Sequence, residues 1–193
     1  MSALSSASQP PSIASSLFHS AAQPSTFKLS EVISELLDLY ELLIKMSGVR
    51  LVRRLDSSAT MFGSRSEIRQ TVSNLLINAL DATPPGGTMT VRLRESVDWG
   101  TGRRGHRILV ADTGCGIDPE HRERVFEPFF TTKGERGTGL GLWLSMSLIA
   151  RTGGSLRFRS TSRAGRSGTC FSVFLPAQVP AVECFRSAAG QGS

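Results

Sequence analysis

Cysteine is scarce in this 193-residue chain and badly placed for cross-linking: Cys115, Cys170 and Cys184 are odd in number and far apart. That excludes a disulfide framework and offers no zinc-ligand spacing. No apolar run approaches the roughly 20 residues a membrane-spanning helix needs. The opening MSALSSASQPPSIASS lacks the basic start and apolar centre of a secretory leader. Reduced thiols and no leader lead to the expectation of a cytoplasmic protein. Internal repeats are missing as well. Acidic residues are the minority charge, 16 Asp and Glu against 22 Lys and Arg, for a net +6. Such an excess suits an anionic ligand or an acidic partner protein without choosing between them. The tightest basic group, Arg103, Arg104 and Arg107, flanks Gly100, Gly102 and Gly105 without interleaved aromatics. It reads as a solvated turn, not as a nucleic-acid patch.

What is present, 39% hydrophobic and 20% charged residues, is the composition of one globular domain with tails. Residues 1–26, rich in Ser, Ala, Pro and Gln, cannot bury enough apolar surface to offset the entropy of ordering, so a disordered arm is expected there. The folded part is expected over 27–176, and a small, polar tail over 177–193. Within it, Val32, Ile33, Leu36, Leu37, Leu39, Tyr40, Leu43 and Ile44 repeat at helical spacing, predicting one helix from an N-cap at Ser30 to about Met46. Short strands follow over 49–55 and 60–62, then a helix over 67–82 capped by Ser64 or Ser66 and stopped by Pro84, Pro85, Gly86 and Gly87. Two strands over 88–95 and 106–111, a short helix over 119–125, a longer helix over 140–151 and a closing hairpin over 155–175 complete the chain. The order predicts an α+β fold: a two-layer sandwich whose mixed, mostly antiparallel sheet is covered on one face by about three helices.

Three segments bear chemistry. The helix over 67–82 carries Asn74 and Asn78 one turn apart, on a polar stripe with Gln70 and Asp81 beside a face of Ile68, Val72, Leu75, Leu76, Ala79 and Ala82. Asn is a poor helix former, so the stripe faces either a polar ligand or solvent. After the apolar RILVA comes Asp112, then Gly114 and Gly116. A carboxylate at a strand end, with glycines permitting close approach, can accept from the exocyclic amine of a planar base, or can simply be an Asp-Gly turn. Gly137, Thr138, Gly139, Leu140 and Gly141 lead into a helix behind Lys133 and Arg136. Backbone N–H groups at a helix start, with two cations, suit phosphates. There is no GxxxxGK[ST], and GTGLG has the wrong spacing for a dinucleotide fingerprint. The Phe-rich run over 126–132 between the glycine segments is either a lid or a loop pinned to the core.

Taken together, NLLINALDA at 74–82, DTGCGI at 112–117, FEPFFTTK at 126–133 and GTGLGL at 137–142 resemble, in order and spacing, the N box, first glycine box, F box and second glycine box of sensor histidine kinases. GTCFSVFLP at 168–176 is similar to their closing strand, so the resemblance covers about residues 27–176. It implies a Bergerat-type ATP-binding fold with ATP and magnesium as cofactors. Asp112 would read the adenine amine, with Gly114 and Gly116 giving clearance, Ile117 beside them and Thr169 assisting through water. Asn78 would hold the metal, with Asn74, Asp81 and Ala82 along the same wall. Phe130, Thr131, Thr132 and Lys133, with Gly137, Thr138, Gly139, Leu140, Gly141 and Leu142, would close over the phosphates, and Asn74 and Lys133 would serve catalysis. Hydrolytic relatives keep a general-base glutamate where this chain has Asn74. An amide cannot take a proton there, which implies slow hydrolysis and phosphoryl transfer to a protein side chain instead.

The pattern departs from a complete kinase in one respect. None of His19, His106 and His121 sits in the helical His-Glu or His-Asp context of a phosphoacceptor; all three read as surface histidines, with His121 facing outward. The implied partners are therefore a phosphoacceptor histidine domain, in cis or in trans, and a downstream response regulator. A serine kinase of the anti-sigma-factor type, or a nucleotide-gated binding module without transfer activity, are the alternatives.

Overall fold

The sheet is built from strands whose alternation is strict. Met89, Val91 and Leu93 of one central strand are fully buried, while Thr90, Arg92 and Arg94 between them point the other way. The computed structural model describes residues 24–55, 60–98, 100–134, 137–163 and 165–177. The expected arm and tail, His19, Arg136 and Cys184 therefore lie outside the described residues, except for residues 24–26 and 177. Among the described residues, twelve elements follow in order: β1 (Ser25–Lys28), α1 (Leu29–Leu39), α2 (Glu41–Met46), β2 (Arg50–Leu55), β3 (Thr60–Gly63), α3 (Arg65–Ala82), β4 (Thr88–Val97), β5 (Arg104–Asp112), a 3-10 turn (Pro119–His121), α4 (Gly141–Arg151), β6 (Ser155–Arg163) and β7 (Arg166–Pro176).

Five strands form the main sheet in the order β2-β4-β5-β7-β6. Only β2 and β4 run parallel; the other pairs are antiparallel. Helices α1, α3 and α4 cover one face, and the core of Leu29, Ile33, Leu36, Leu75, Ile108, Val173 and Leu175 lies between them and the sheet. This is the two-layer α+β sandwich expected. Each such fully buried aliphatic side chain contributes about 1.5–3 kcal/mol relative to exposure, so this layer is the main source of stability.

Helix α3 is central to it. The Ser64 hydroxyl accepts from the backbone N–H of Glu67 at 3.3 Å and caps the start. Ile68, Thr71, Val72, Leu75, Leu76 and Ala79 face the core, while Ala82, expected there, is only half-buried. At the far end the Thr83 hydroxyl donates to Ala79 O at 2.6 Å, just before the two prolines.

Three expectations are corrected. The first helix is not continuous: it breaks at Tyr40, whose hydroxyl is tied to Ser73 Oγ on α3 at 2.7 Å, and α2 beyond the corner buries only Ile44. Leu39, Leu42, Leu43 and Met46 consequently remain exposed. Its N-cap is Lys28, with Ser30 inside the first turn, because β1 extends to Lys28 and pairs antiparallel with β3 in a small separate sheet. The ordered chain thus starts before Phe27, at least by Ser25. Finally, residues 119–125 form no helix beyond the 3-10 turn, since Pro119 and the Asp118 cap support one turn and the chain then winds irregularly.

Candidate nucleotide site

The C-terminal half of α3, the loop leaving β5, the Phe-rich segment and the start of α4 enclose a cavity of about 560 Å³. Its walls carry Asn78, Asp81 and Ala82 from α3, Asp112, Gly116 and Ile117 from the β5 end, and Phe130, Thr131, Thr132 and Lys133 from the Phe-rich segment. Gly137, Thr138, Gly139, Gly141 and Leu142 from the α4 approach and Thr169 from β7 line it too. Asn74, Gly114 and Leu140 do not line it.

Asp112 forms the floor. It is 8% exposed, and its Oδ1 accepts from the backbone N–H of Gly114 at 2.9 Å and of Thr169 at 3.1 Å. Burial pushes its carboxyl above the usual carboxylate range, and these two N–H groups partly offset that. The same β7 residue extends the polar floor: the Ser160 hydroxyl donates to Gly168 O at 3.0 Å and accepts from Ile117 N–H at 2.7 Å, and lies 2.9 Å from Thr169 Oγ1. Gly114 and Gly116 let this loop lie flat. A Cβ at Gly114 would collide with Ala82 O, and one at Gly116, where φ is +77°, with Thr161 O. Gly114 therefore supports the site from behind without touching the cavity.

The two asparagines of α3 separate in role. The Asn74 amide donates to Gly141 O and to Ser145 Oγ, both at 3.1 Å, while its oxygen accepts from Gln70 Nε2 at 3.1 Å. It joins α3 to the first turn of α4, beside the cavity and not in it. Asn78, one turn later, faces the cavity, and its Oδ1 accepts from Lys133 Nζ at 3.0 Å; Asp81 Oδ2 takes the same ammonium at 2.7 Å. Two hard oxygens of α3 thus converge on one cation. Among the described residues no cluster of three or more His, Cys, Asp or Glu could hold a metal alone, so any divalent ion here would draw on this pair together with ligand phosphates.

The Phe-rich segment is pinned to the core by aromatics. Phe126 packs edge-on against Phe158, and Phe130 lies between the His121 ring, 5.5 Å away, and the Arg124 guanidinium, 4.4 Å from its centroid. His121 thus lines the cavity and does not face outward as expected. His106 also departs from a surface histidine: it is half-buried within β5, and burial holds its pKa below the usual value. Phe129 is 75% exposed with φ at +66°, and a Cβ on Gly139 would meet its backbone, so the entry and exit of the segment lie against each other. Sequence reasoning missed Ile77, Cys115, Asp118, His121, Val125 and Phe171 in the walls, and Ser160 behind them. Ser160 had one available signal, its position directly opposite Thr169 in the closing hairpin.

A buried carboxylate floor, glycine walls and a lysine on the Phe-rich segment, set on a two-layer sandwich, are the features of a nucleotide-binding ATPase domain. Residues 63–179 match the family described as histidine kinase-, DNA gyrase B- and HSP90-like ATPase. Sensor kinase CckA of Brucella abortus is 34% identical over 167 residues, 80% of this chain and 17% of that protein. Sensor protein TorS of Escherichia coli is 33% identical over 156 residues, 79% of this chain and 16% of that protein. Among solved structures, the catalytic domain of histidine kinase ThkA superposes with a TM-score of 0.69 at 28% identity, covering 80% of this chain and 95% of that one. The mycobacterial sensor histidine kinase MprB gives 0.68 at 28%, covering 82% and 100%. The chain belongs to the histidine kinase-, DNA gyrase B- and HSP90-like ATPase family, as a catalytic domain of the sensor histidine kinase type. It spans about a sixth of the length of the two curated relatives named.

Proposed function

We propose that this domain binds Mg-ATP in the cytoplasm and supplies its γ-phosphoryl group to a histidine on a separate phosphoacceptor domain, from which a response regulator then takes it. The observation that carries the reading is Asp112, a buried carboxylate at the end of a cavity of nucleotide size with one oxygen fixed by two backbone N–H groups. Its carboxylate accepts from the adenine amine, and Thr169 with Ser160 holds the floor in register. At the other end of the cavity, Lys133 and the backbone N–H groups of 137–141 hold phosphate oxygens. A magnesium ion, when bound, neutralises charge on the phosphates; Asn78 and Asp81 are the protein oxygens suited to it. The Lys133–Asp81 pair, 38% and 49% exposed, is worth no more than about 1 kcal/mol, so its opening in favour of a divalent ion costs little. An acceptor imidazole nitrogen attacks Pγ, the bond from Pγ to the bridging oxygen breaks, and ADP leaves. Asn74, engaged between α3 and α4, offers water no base, which supports transfer over hydrolysis. The relative ThkA has been seen in complex with the response regulator TrrA, and ShkA with AMPPNP, which supports the same assignments here.

The test is a magnesium-dependent ATP titration of the chain, followed by incubation with a phosphoacceptor helical hairpin and acid treatment of the product. ATP binding with acid-labile transfer is expected. Acid-stable phosphoprotein would favour a serine kinase, and rapid turnover in the absence of acceptor, abolished by Asn78→Ala, would favour a hydrolase.

A further inference from the structure

The face of the main sheet turned away from the helices is an arginine surface. By register, the outward positions include Arg50, Val52 and Arg54 on β2, Thr90, Arg92 and Arg94 on β4, Arg107 and Leu109 on β5, Ser172 and Phe174 on β7, and Arg157, Arg159 and Arg163 on β6. No Asp or Glu occupies an outward position on any of the five strands. Arg54 sits directly opposite Arg92, and Arg94 directly opposite Arg107. Like charges so placed destabilise a sheet. Arg107 feels it: its pKa is depressed by burial first, then by Arg94 and Arg157, with Asp98 at the strand end offsetting only part.

A merely solubilising face would intersperse both signs, as the helical side does with Lys28–Glu31, Lys45–Glu41, Arg65–Glu35 and Arg151–Glu67. Here Arg94 and Arg107 are kept opposite one another, with Arg107 held by the hydroxyls of Ser96 and Ser172, and a like-charge pair of this kind marks a surface shaped for a ligand. Its form restricts the ligand. The face is roughly 20 Å across its five strands, and the one aromatic at its outward positions, Phe174, is 1% exposed beneath the Arg107 guanidinium. Without an exposed aromatic it offers single-stranded nucleic acid no stacking platform. Its outward aliphatic side chains Val52 and Leu109 are half-buried among arginines, so it lacks the large apolar core of a protein–protein interface. A broad array of negative charge is complementary to this face. We propose that this sheet face adsorbs on the surface of an anionic lipid bilayer, leaving the nucleotide cavity, on the opposite side of the sheet, open to solution.

The experiment is co-sedimentation of the full chain with vesicles of phosphatidylglycerol and phosphatidylcholine, or of phosphatidylcholine alone, at about 0.1 M and about 0.5 M salt. Binding to the anionic vesicles only, weakened by salt, is expected. The combined variant Arg54→Gln, Arg94→Gln, Arg157→Gln and Arg159→Gln should lose about fivefold in partitioning per arginine removed. A control with Lys28→Gln, Lys45→Gln, Arg65→Gln and Arg151→Gln, removing the same charge elsewhere, should retain most of it. Circular dichroism melts check both folds. Failure of the wild type to bind anionic vesicles overturns the proposal, as does equal loss in the two variants. Displacement of the protein from vesicles by a stoichiometric amount of duplex DNA would also overturn it, reassigning the face to nucleic acid.

Discussion

Replacing Asp112 with Asn isolates one hydrogen bond. The amide retains an oxygen for the N–H groups of Gly114 and Thr169, so the loop geometry should survive. The second oxygen, however, becomes an NH₂ group that meets the adenine amine donor to donor. A hydrogen bond to a charged group contributes about 1.5–3 kcal/mol, so affinity for Mg-ATP should fall by about 10- to 150-fold. Isothermal titration with ATP, and with inosine triphosphate, which carries a carbonyl where adenine has its amine, completes a cycle. The substitution should weaken ATP strongly and leave the inosine nucleotide unchanged or improved. Burial raises the Asp112 pKa, so the folded state binds more protons than the unfolded one from the ordinary carboxylate range upward. Stability therefore falls as pH rises through that window, and the Asn variant should lose that slope while melting no lower than wild type at neutral pH. Equal ATP affinity for the two proteins would refute the adenine assignment, and equal losses for ATP and inosine triphosphate would show that the substitution had damaged the loop instead.

Asn74→Ala removes the joint between α3 and α4 and should cost about 1–3 kcal/mol of stability by thermal denaturation. Asn78→Ala should do the reverse, weakening magnesium-dependent ATP binding with little change in melting; the opposite ranking would return Asn74 to the site. Lys133→Gln should alter unliganded stability by less than about 1 kcal/mol, because its ion pair is half-exposed, yet weaken ATP measurably in a titration. Gly116→Ala places a methyl group against Thr161 O at a positive φ and should lower the urea midpoint by an amount equivalent to more than about 1 kcal/mol; no shift would mean the loop is softer than its packing indicates.

The elements that followed from period and punctuation were legible in the sequence. The Ser64 cap, the Pro84–Pro85 stop and the alternation of Met89, Val91 and Leu93 each state a local rule, and the structure obeys them. What escaped was set by distant partners. The break at Tyr40 depends on Ser73, more than 30 residues on, and β1 exists only because β3 lies beside it. All the expected site residues except Asn74, Gly114 and Leu140 line one cavity, because backbone clearance and a buried carboxylate leave glycines and an Asp in the sequence. Ser160 and His121 left no comparable mark: their places come from strand register and from the fall of an irregular loop. Asn74 and Asn78 look alike in sequence, and only the proximity of α4 distinguishes them.

Strand β5 separates two surfaces of opposite character. Asp112 turns inward to the cavity, while Ala111 beside it and Arg107 on the same outward row belong to the far side. A single residue inserted into this strand ahead of Asp112 would reverse the assignment. The carboxylate would emerge among the arginines, which would neutralise it, and the cavity would receive alanine. Insertions and deletions in β5 should therefore abolish nucleotide binding in steps of parity: one residue removes it, while two, which restore the facing, do less harm. The strand acts as a reading frame for charge, and its length is constrained modulo two more tightly than the identity of most side chains along it.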